Sequence, residues 1–209
     1  MILDISPALN ASIAVWPADT PLTREVLLEI ARGASVTLST LRATVHLGAH
    51  ADAPSHYENG APDIASRSLT YYVGECEVMR VPVERGGVIT PAMLPREPSA
   101  PRVLFATGTF PDPGAFNRDF AALSPALVDH LHAAGAILAG IDTPSVDPFA
   151  SKELAAHQRF LAHDMAILEG LVLEGVAEGH YELIALPLRL EGFDASPVRA
   201  VLRRLPGAG

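Results

Sequence analysis

The run His46-Leu47-Gly48-Ala49-His50-Ala51-Asp52-Ala53-Pro54-Ser55-His56 sets the reading of the chain. Every second position, from His46 through Gly48, His50, Asp52 and Pro54 to His56, would share one face of an extended strand. Leu47, Ala49, Ala51 and Ala53 would face the other way. A helix would also bring His46 and His50 together, four residues apart. It would turn Asp52 and His56 off that line, and Gly48 and Pro54 would weaken it. The spacing therefore predicts a strand over the first part of the run. One magnitude limits that reading: at about 3.3 Å per residue, His46 and His50 would lie roughly 13 Å apart. Two imidazoles binding one metal at about 2.1 Å barely close such a gap. Either the chain bends near Gly48 or the face spans two metals.

A solvent-facing polar strand accounts for one histidine. Three histidines and an aspartate in strict alternation, with no lysine or glutamate interrupting, point instead to a metal site of nitrogen and oxygen ligands. Such ligands suit Zn, with Mn or Fe as alternatives. The only cysteine, Cys76, excludes an internal disulfide and a thiolate-rich site. One strand seldom completes a hydrolytic site, and His130, His132, His157, His163 and His180 remain as candidates. His130 and His132 are two apart in an expected helix and read as surface residues. His157 and Glu169 flank an expected helix end. Residue types alone do not choose between His157 and His163.

The chain has 209 residues and a formal net charge of −9, with 49% hydrophobic and 19% charged residues. That supports one domain with a sizeable core and excludes a disordered chain. The acidic balance argues against non-specific nucleic-acid binding and against an anionic membrane surface. No signal-peptide pattern opens the sequence and no apolar run reaches the roughly 18 residues of a membrane span, so the expected location is the cytoplasm. Extended segments are expected over residues 26–30, 35–45, 75–83, 102–106, 136–141 and 181–190. Helices are expected over 124–134, with Ser124 as N-cap and Pro125 at the first position, and over 152–162, capped by Ser151. Strands outnumber helices, which predicts a mixed α/β domain rather than regular βαβ alternation.

The histidine run resembles the His-x-Gly-x-His-x-Asp-x-Pro-x-His hallmark of the cyclase family of metal-dependent hydrolases. Other stretches resemble that family's bacterial kynurenine formamidase (arylformamidase) branch. They are Trp16-Pro17-Ala18-Asp19-Thr20-Pro21, Gly140-Ile141-Asp142-Thr143-Pro144-Ser145-Val146-Asp147, and Leu186-Pro187-Leu188-Arg189-Leu190-Glu191-Gly192 running into Asp194-Ala195-Ser196-Pro197-Val198-Arg199. The sequence departs from the pattern at Ala18, where glycine is expected, and at Ala49, often threonine.

The resemblance implies one α/β domain over residues 1–209, a mixed sheet with a β-barrel-like core flanked by helices, and a homodimer. It implies two zinc ions per subunit, with manganese as the alternative. His46, His50 and Asp52 would hold one; Asp52 would bridge to the second, held also by His157 and by Glu169, itself bridging. His56 would stay unligated as general acid/base, and Trp16 would sit against an aromatic substrate. The implied reaction hydrolyses N-formyl-L-kynurenine to L-kynurenine and formate, a step of tryptophan degradation. The alternatives are a hydrolase of another aryl amide or an isatin-like lactam, and a non-catalytic metal-binding protein. Asp142, Asp147 and Arg189 read as structural, and Thr143-Pro144-Ser145 as a loop near the site.

Overall fold

In the computed structural model, which describes residues 1–205, the β-branched and small apolar segments form strands. These are β1 (Ile2–Asp4), β2 (Thr23–Leu28), β3 (Leu38–Arg42), β4 (His50–Asp52), β5 (Val73–Arg80), β6 (Val88–Ile89), β7 (Arg102–Ala106) and β8 (Ala122–Leu123). The α1 helix (Pro125–Ala133), β9 (Leu138–Ile141), the α2 helix (Ala155–Ala162), β10 (Ala166–Glu169), β11 (Gly179–Ile184), β12 (Ala195–Pro197) and β13 (Val201–Arg204) follow. Nine strands join one mixed sheet in the order β1-β13-β11-β5-β7-β9-β10-β4-β12, curled as a half-barrel. The middle run β5-β7-β9-β10 is parallel and its flanks are antiparallel.

Period-two alternation splits the apolar residues between the two faces. Cys76, Val78, Leu104, Leu138 and Leu168 enter one core, closed by Leu183 and Leu202. Met79, Val103, Phe105, Ala139 and Ile167 enter the other, against Leu127, Val128 and Leu131 of α1 and Ala156 and Phe160 of α2. Both helices therefore lie on one face of the sheet. Among the described residues, no helix is long and apolar enough to cross a membrane.

Local signals placed some elements well. Ser124 caps α1, its hydroxyl accepting from the Leu127 N–H at 3.1 Å, with Pro125 in the first turn. The strand expected over 102–106 is β7. The helix expected over 152–162 begins three residues late. Ser151 Oγ accepts from Leu154 N at 3.1 Å, Leu154 takes a left-handed φ of 47°, and α2 starts at Ala155. The helix is capped instead by Asp147, whose oxygens accept from Ala156 N at 3.1 Å and His157 N at 3.0 Å. The extension expected over 181–190 stops at Ile184, after which Ala185 N bonds Tyr72 O and the chain leaves the sheet.

The expected strand over the histidine run shrinks to three residues. Only His50–Asp52 pair in the sheet, between β10 and β12. Gly48, at φ 58°, turns the chain just before, and Pro54–His56 form a 3-10 turn just after. A Cβ on Gly48 would press on Leu9 Cδ2 and Pro7 Cγ, 2.8 and 2.9 Å away. Gly170, at φ 65°, ends β10 directly against this turn, where a Cβ would run into the Gly48 carbonyl. Two glycines thus let the chain before β4 and the chain after β10 meet backbone to backbone.

The β2–β3 hairpin forms its own two-stranded sheet, and every residue of both strands is exposed.

Gly170→Ala should cost about 2–4 kcal/mol from the left-handed backbone and the clash. It should also separate His50 from Glu169. Chemical denaturation and metal titration of the variant measure both effects; wild-type values in both would contradict the close-approach account.

Candidate metal centre

The turn at Gly48 resolves the distance problem. His46 and His50 do not stand about 13 Å apart; their ring centroids are 5.0 Å apart, because His46 lies before the bend and not on the strand. Glu169 also departs from its expected setting: it ends strand β10, opposite His50 in the register, rather than flanking a helix end. His157 lies within α2, buried against β4 and β10. Of the two histidines left open by residue type, His163 pairs with exposed Asp129 at 2.7 Å and stacks on His132, away from this centre. His130 faces Glu97 at 2.9 Å, and His180 faces Glu75 at 3.2 Å.

The five expected ligands converge. His46 Nδ1 and His50 Nε2 lie 3.1 and 3.4 Å from Asp52 Oδ1, and His50 Nε2 is 3.3 Å from Glu169 Oε2. On the other side of the same two carboxylates, His157 Nε2 lies 3.3 Å from Asp52 Oδ2 and 3.6 Å from Glu169 Oε1. Each carboxylate thus turns one oxygen to each of two donor groups. Ligand bonds of about 2.1 Å at tetrahedral angles set donors about 3.4 Å apart, so these spacings fit divalent cations. Among the described residues, buried His50 Nε2 and Asp52 Oδ1 have no hydrogen-bond partner, a costly state in a dry interior that a cation would relieve. The donor chemistry and the orphaned atoms agree. The trio His46, Asp52 and His56 also brings one ligating atom from each within 4.8 Å, so His56 adjoins the centre.

The imidazoles are oriented from behind. His50 Nδ1 donates to the Gly48 carbonyl at 2.9 Å, and His157 Nδ1 donates to Asp147 Oδ2 at 2.7 Å, leaving each Nε2 facing the carboxylates. Asp147 therefore does more than the structural duty expected of it: it caps α2 and holds His157. Asp194, which no spacing in the sequence singles out, places Oδ2 3.0 Å from His46 Nε2 and 3.3 Å from His56 Nδ1. Neither support is visible from spacing, since each meets its histidine only in the folded chain.

Electrostatics follows the geometry. Burial disfavours charge on His46, yet the Asp52 carboxylate and the Asp194 hydrogen bond outweigh it and raise its pKa to about 10. His157 rises to about 10 in the same way, burial being outweighed by Asp147, Asp52 and Glu169. Against its own burial, Asp52 is held well below the usual carboxylate range by the surrounding histidines. Burial raises the pKa of Asp142, although it accepts hydrogen bonds from Thr107 and Gly108.

Above the centre opens a cavity of about 690 Å³, lined by His46, His50, His56, His157 and Glu169 on one side. Trp16, Phe110 and Phe116 line it on another. Trp16 stacks on Phe149 at 4.8 Å and meets Phe116 and Phe120 edge-on at 5.5 and 6.1 Å. The phenylalanines are scattered in sequence, and no motif links them. Ala18 takes φ 78°, the left-handed backbone that explains why glycine was expected there. Thr143-Pro144-Ser145 reaches the site as expected: Pro144 and Ser145 line the cavity, and Gly170 N donates to the Thr143 carbonyl.

Comparison with known proteins adds to this geometry. A family model described as "Putative cyclase" matches residues 3–148. A structure named as a potential metal-dependent hydrolase with cyclase activity shares 26% identity over 99% of each chain, with a TM-score of 0.84. A predicted metal-dependent hydrolase from Bacillus stearothermophilus shares 27% identity over 97% of each chain, with a TM-score of 0.80. Isatin hydrolase A from Ralstonia solanacearum, at 20% identity, 97% of this chain and 91% of its own, has a TM-score of 0.80 and shares the fold.

A cation needs the lone pairs that His46 and His157 give to protons in the metal-free state. Metal uptake should therefore release protons, and apparent affinity should rise with pH between about 6 and 9. The raised pKa values stabilise the metal-free fold fully below the unfolded histidine value near 6.5, and that contribution is lost as pH rises through about 10. Calorimetric metal titrations in buffers of different ionisation heat measure the proton release; a pH-independent affinity would contradict the assignment.

Proposed function

This chain belongs to the cyclase family, and from that premise we propose that it is a metal-dependent arylformamidase that hydrolyses N-formyl-L-kynurenine to L-kynurenine and formate. The observation that carries the reading is one cavity walled by Trp16, Phe110 and Phe116 and floored by the donor cluster, with His56 at its edge. In this reading His46 and His50 would hold one cation and His157 the other, with Asp52 and Glu169 shared between them. Zinc, two per subunit, suits the nitrogen and oxygen donors, with manganese as the alternative. Such cations supply Lewis acidity, which acidifies water and polarises a carbonyl oxygen.

The chain's own residues supply the rest. Trp16 and the phenylalanines present flat apolar surface to an aryl ring, and an aromatic pair is worth about 0.5–1.5 kcal/mol beyond burial. His56 is half-exposed and lines the cavity, and its Nδ1 is engaged by Asp194, which leaves Nε2 for proton transfer. Nε2 takes a proton from the water that attacks the formyl carbon and returns it to the anilide nitrogen as the C–N bond breaks. An imidazole ring can both accept and return a proton, and such acid/base help is worth about 10²–10⁴-fold.

A second reading is hydrolysis of a cyclic aryl amide such as isatin, since isatin hydrolases share the fold. The same aryl N–C(=O) bond breaks, and pocket shape decides between the two. A purely structural metal site would be closed, and this one faces an open cavity.

The β2–β3 arm supports a homodimer. Val26, Leu27, Leu28, Ile30, Val36, Leu38 and Leu41 are all exposed on it, at 43–68%. A lone two-stranded ribbon is marginal in water without a covering surface. Three arginines against two glutamates make the arm net positive, whereas the whole chain carries −9, so the acidic body of a second copy complements it.

Formate release from N-formyl-L-kynurenine, with metal content before and after chelation, tests the reading. Chelator-sensitive turnover is expected. His56→Ala should keep the metal and lose about 10²-fold or more of kcat, whereas Asp52→Ala should lose both ions. Metal loss in His56→Ala would make His56 a ligand. Turnover of isatin alone would favour the second reading. Sedimentation should give twice the chain mass, and Leu28→Glu with Leu38→Glu, directly opposed in the hairpin, should halve it; a monomeric wild type would overturn the dimer.

A further inference from the structure

Asp194 stands where the two halves of the site meet. It precedes β12, the edge strand, whose Ala195 lies opposite Asp52 in the β4 register. Ala53 N donates to the Asp194 carbonyl at 2.8 Å, and Ile64 N donates to the Phe193 carbonyl at 3.0 Å, which fixes the backbone on both sides of the residue. The side chain is therefore delivered by the sheet to one place, beside the turn that carries His56. There Oδ2 accepts from His46 Nε2 at 3.0 Å and from His56 Nδ1 at 3.3 Å, and the two rings lie 4.2 Å apart by centroid. The opposite nitrogen of His46, Nδ1, is the one that faces Asp52 Oδ1. The opposite nitrogen of His56 is Nε2, on a ring that lines the cavity.

We propose that Asp194 is a positioning residue that sets two histidines with one oxygen, holding His46 with Nδ1 toward the metal and His56 with Nε2 toward the substrate. The physical requirement is tautomeric. A neutral imidazole carries one N–H, and the ring nitrogen opposite a fixed acceptor is then the one with the lone pair. Without Asp194, His46 keeps its reach to Asp52 but loses the acceptor that selects its Nδ1 lone pair. His56, on a short turn and half-exposed, loses the contact that aims its ring. Carboxylate, ligand and acid/base form one unit, so metal binding and proton transfer share a support. His50 and His157 have separate supports, the Gly48 carbonyl and Asp147.

The inference rests on the roles proposed above for His46 and His56, and its test separates the two. Asp194→Ala and Asp194→Asn are compared with the wild type for zinc affinity, by competition with a chelator, and for kcat and KM at saturating zinc. Asp194→Ala should weaken zinc binding about 10-fold or more and lower kcat about 10–100-fold with KM little changed. Asp194→Asn, which keeps an acceptor oxygen, should recover part of both. In a His56→Ala background, Asp194→Ala should lower kcat by less than about 3-fold, because a residue acting through His56 has nothing left to aim. Full additivity of the two losses, or wild-type zinc affinity in Asp194→Ala, would overturn the proposal. Thermal unfolding of each variant guards against a general loss of fold. If the wild type turns over neither aryl amide, the functional reading fails, and the zinc affinities still decide the role of Asp194 toward His46.

Discussion

Asp52 is a buried carboxylate on the strand next to the sheet edge, facing imidazoles of His46, His50 and His157 at 3.1, 3.4 and 3.3 Å. Burying an ionised carboxylate costs several kcal/mol unless opposite charge and hydrogen bonds surround it. Much of the molecule serves that requirement. β4 is only three residues long but is flanked on both sides by strands. β10 sets Glu169 opposite His50 in the register, and α2 packs on the same face to deliver His157. The turn at Gly48 folds His46 back over the strand. Each imidazole reaches the carboxylate from a different element, so the centre exists only when all of them dock.

The supports are graded in stiffness. His50 is held by a backbone carbonyl two residues before it, and His157 by Asp147, which also caps the helix that carries it. These arrangements tie ligand orientation to local chain geometry. His46 and His56 depend instead on Asp194, which is about half-exposed and comes from the far end of the chain. The same division runs through the cavity. His50, Glu169 and His157 in its floor come from strands and a helix, whereas Trp16, Phe110 and Phe116 come from loops. Strands and a helix carry Asp52, Glu169, His50 and His157, where close placement matters. Loops carry the aromatic wall, where shape can vary between relatives of one fold.

The histidine run is legible as a set of nitrogen and oxygen donors from the amino-acid sequence alone, because residue type marks it. Its conformation is not: alternation predicts a strand, and the chain makes a turn, three paired residues and a 3-10 turn. The alternation survives because a bend and a strand bring the same side chains to one point. The α1 helix is readable from Ser124 and Pro125, which act within one turn. The start of α2 falls later than expected because its cap, Asp147, lies eight residues before the first helical residue and acts across a loop. Glu169 is recognisable by resemblance but was expected at a helix end, since four buried residues carry no periodicity that separates strand from helix.

By itself the sequence determined the donor chemistry: nitrogen and oxygen ligands without sulfur, one aromatic residue near the start of the pattern, and an acidic α/β chain. These follow from residue identity, which does not change on folding. Only the tertiary structure decided which nitrogen of each histidine faces the carboxylates, that Asp147 and Asp194 stand behind them, and that scattered phenylalanines wall one cavity. Those facts depend on contacts between residues 10 to 148 positions apart. Strand register and helix docking set such contacts, and both are products of the packed core rather than of any local stretch.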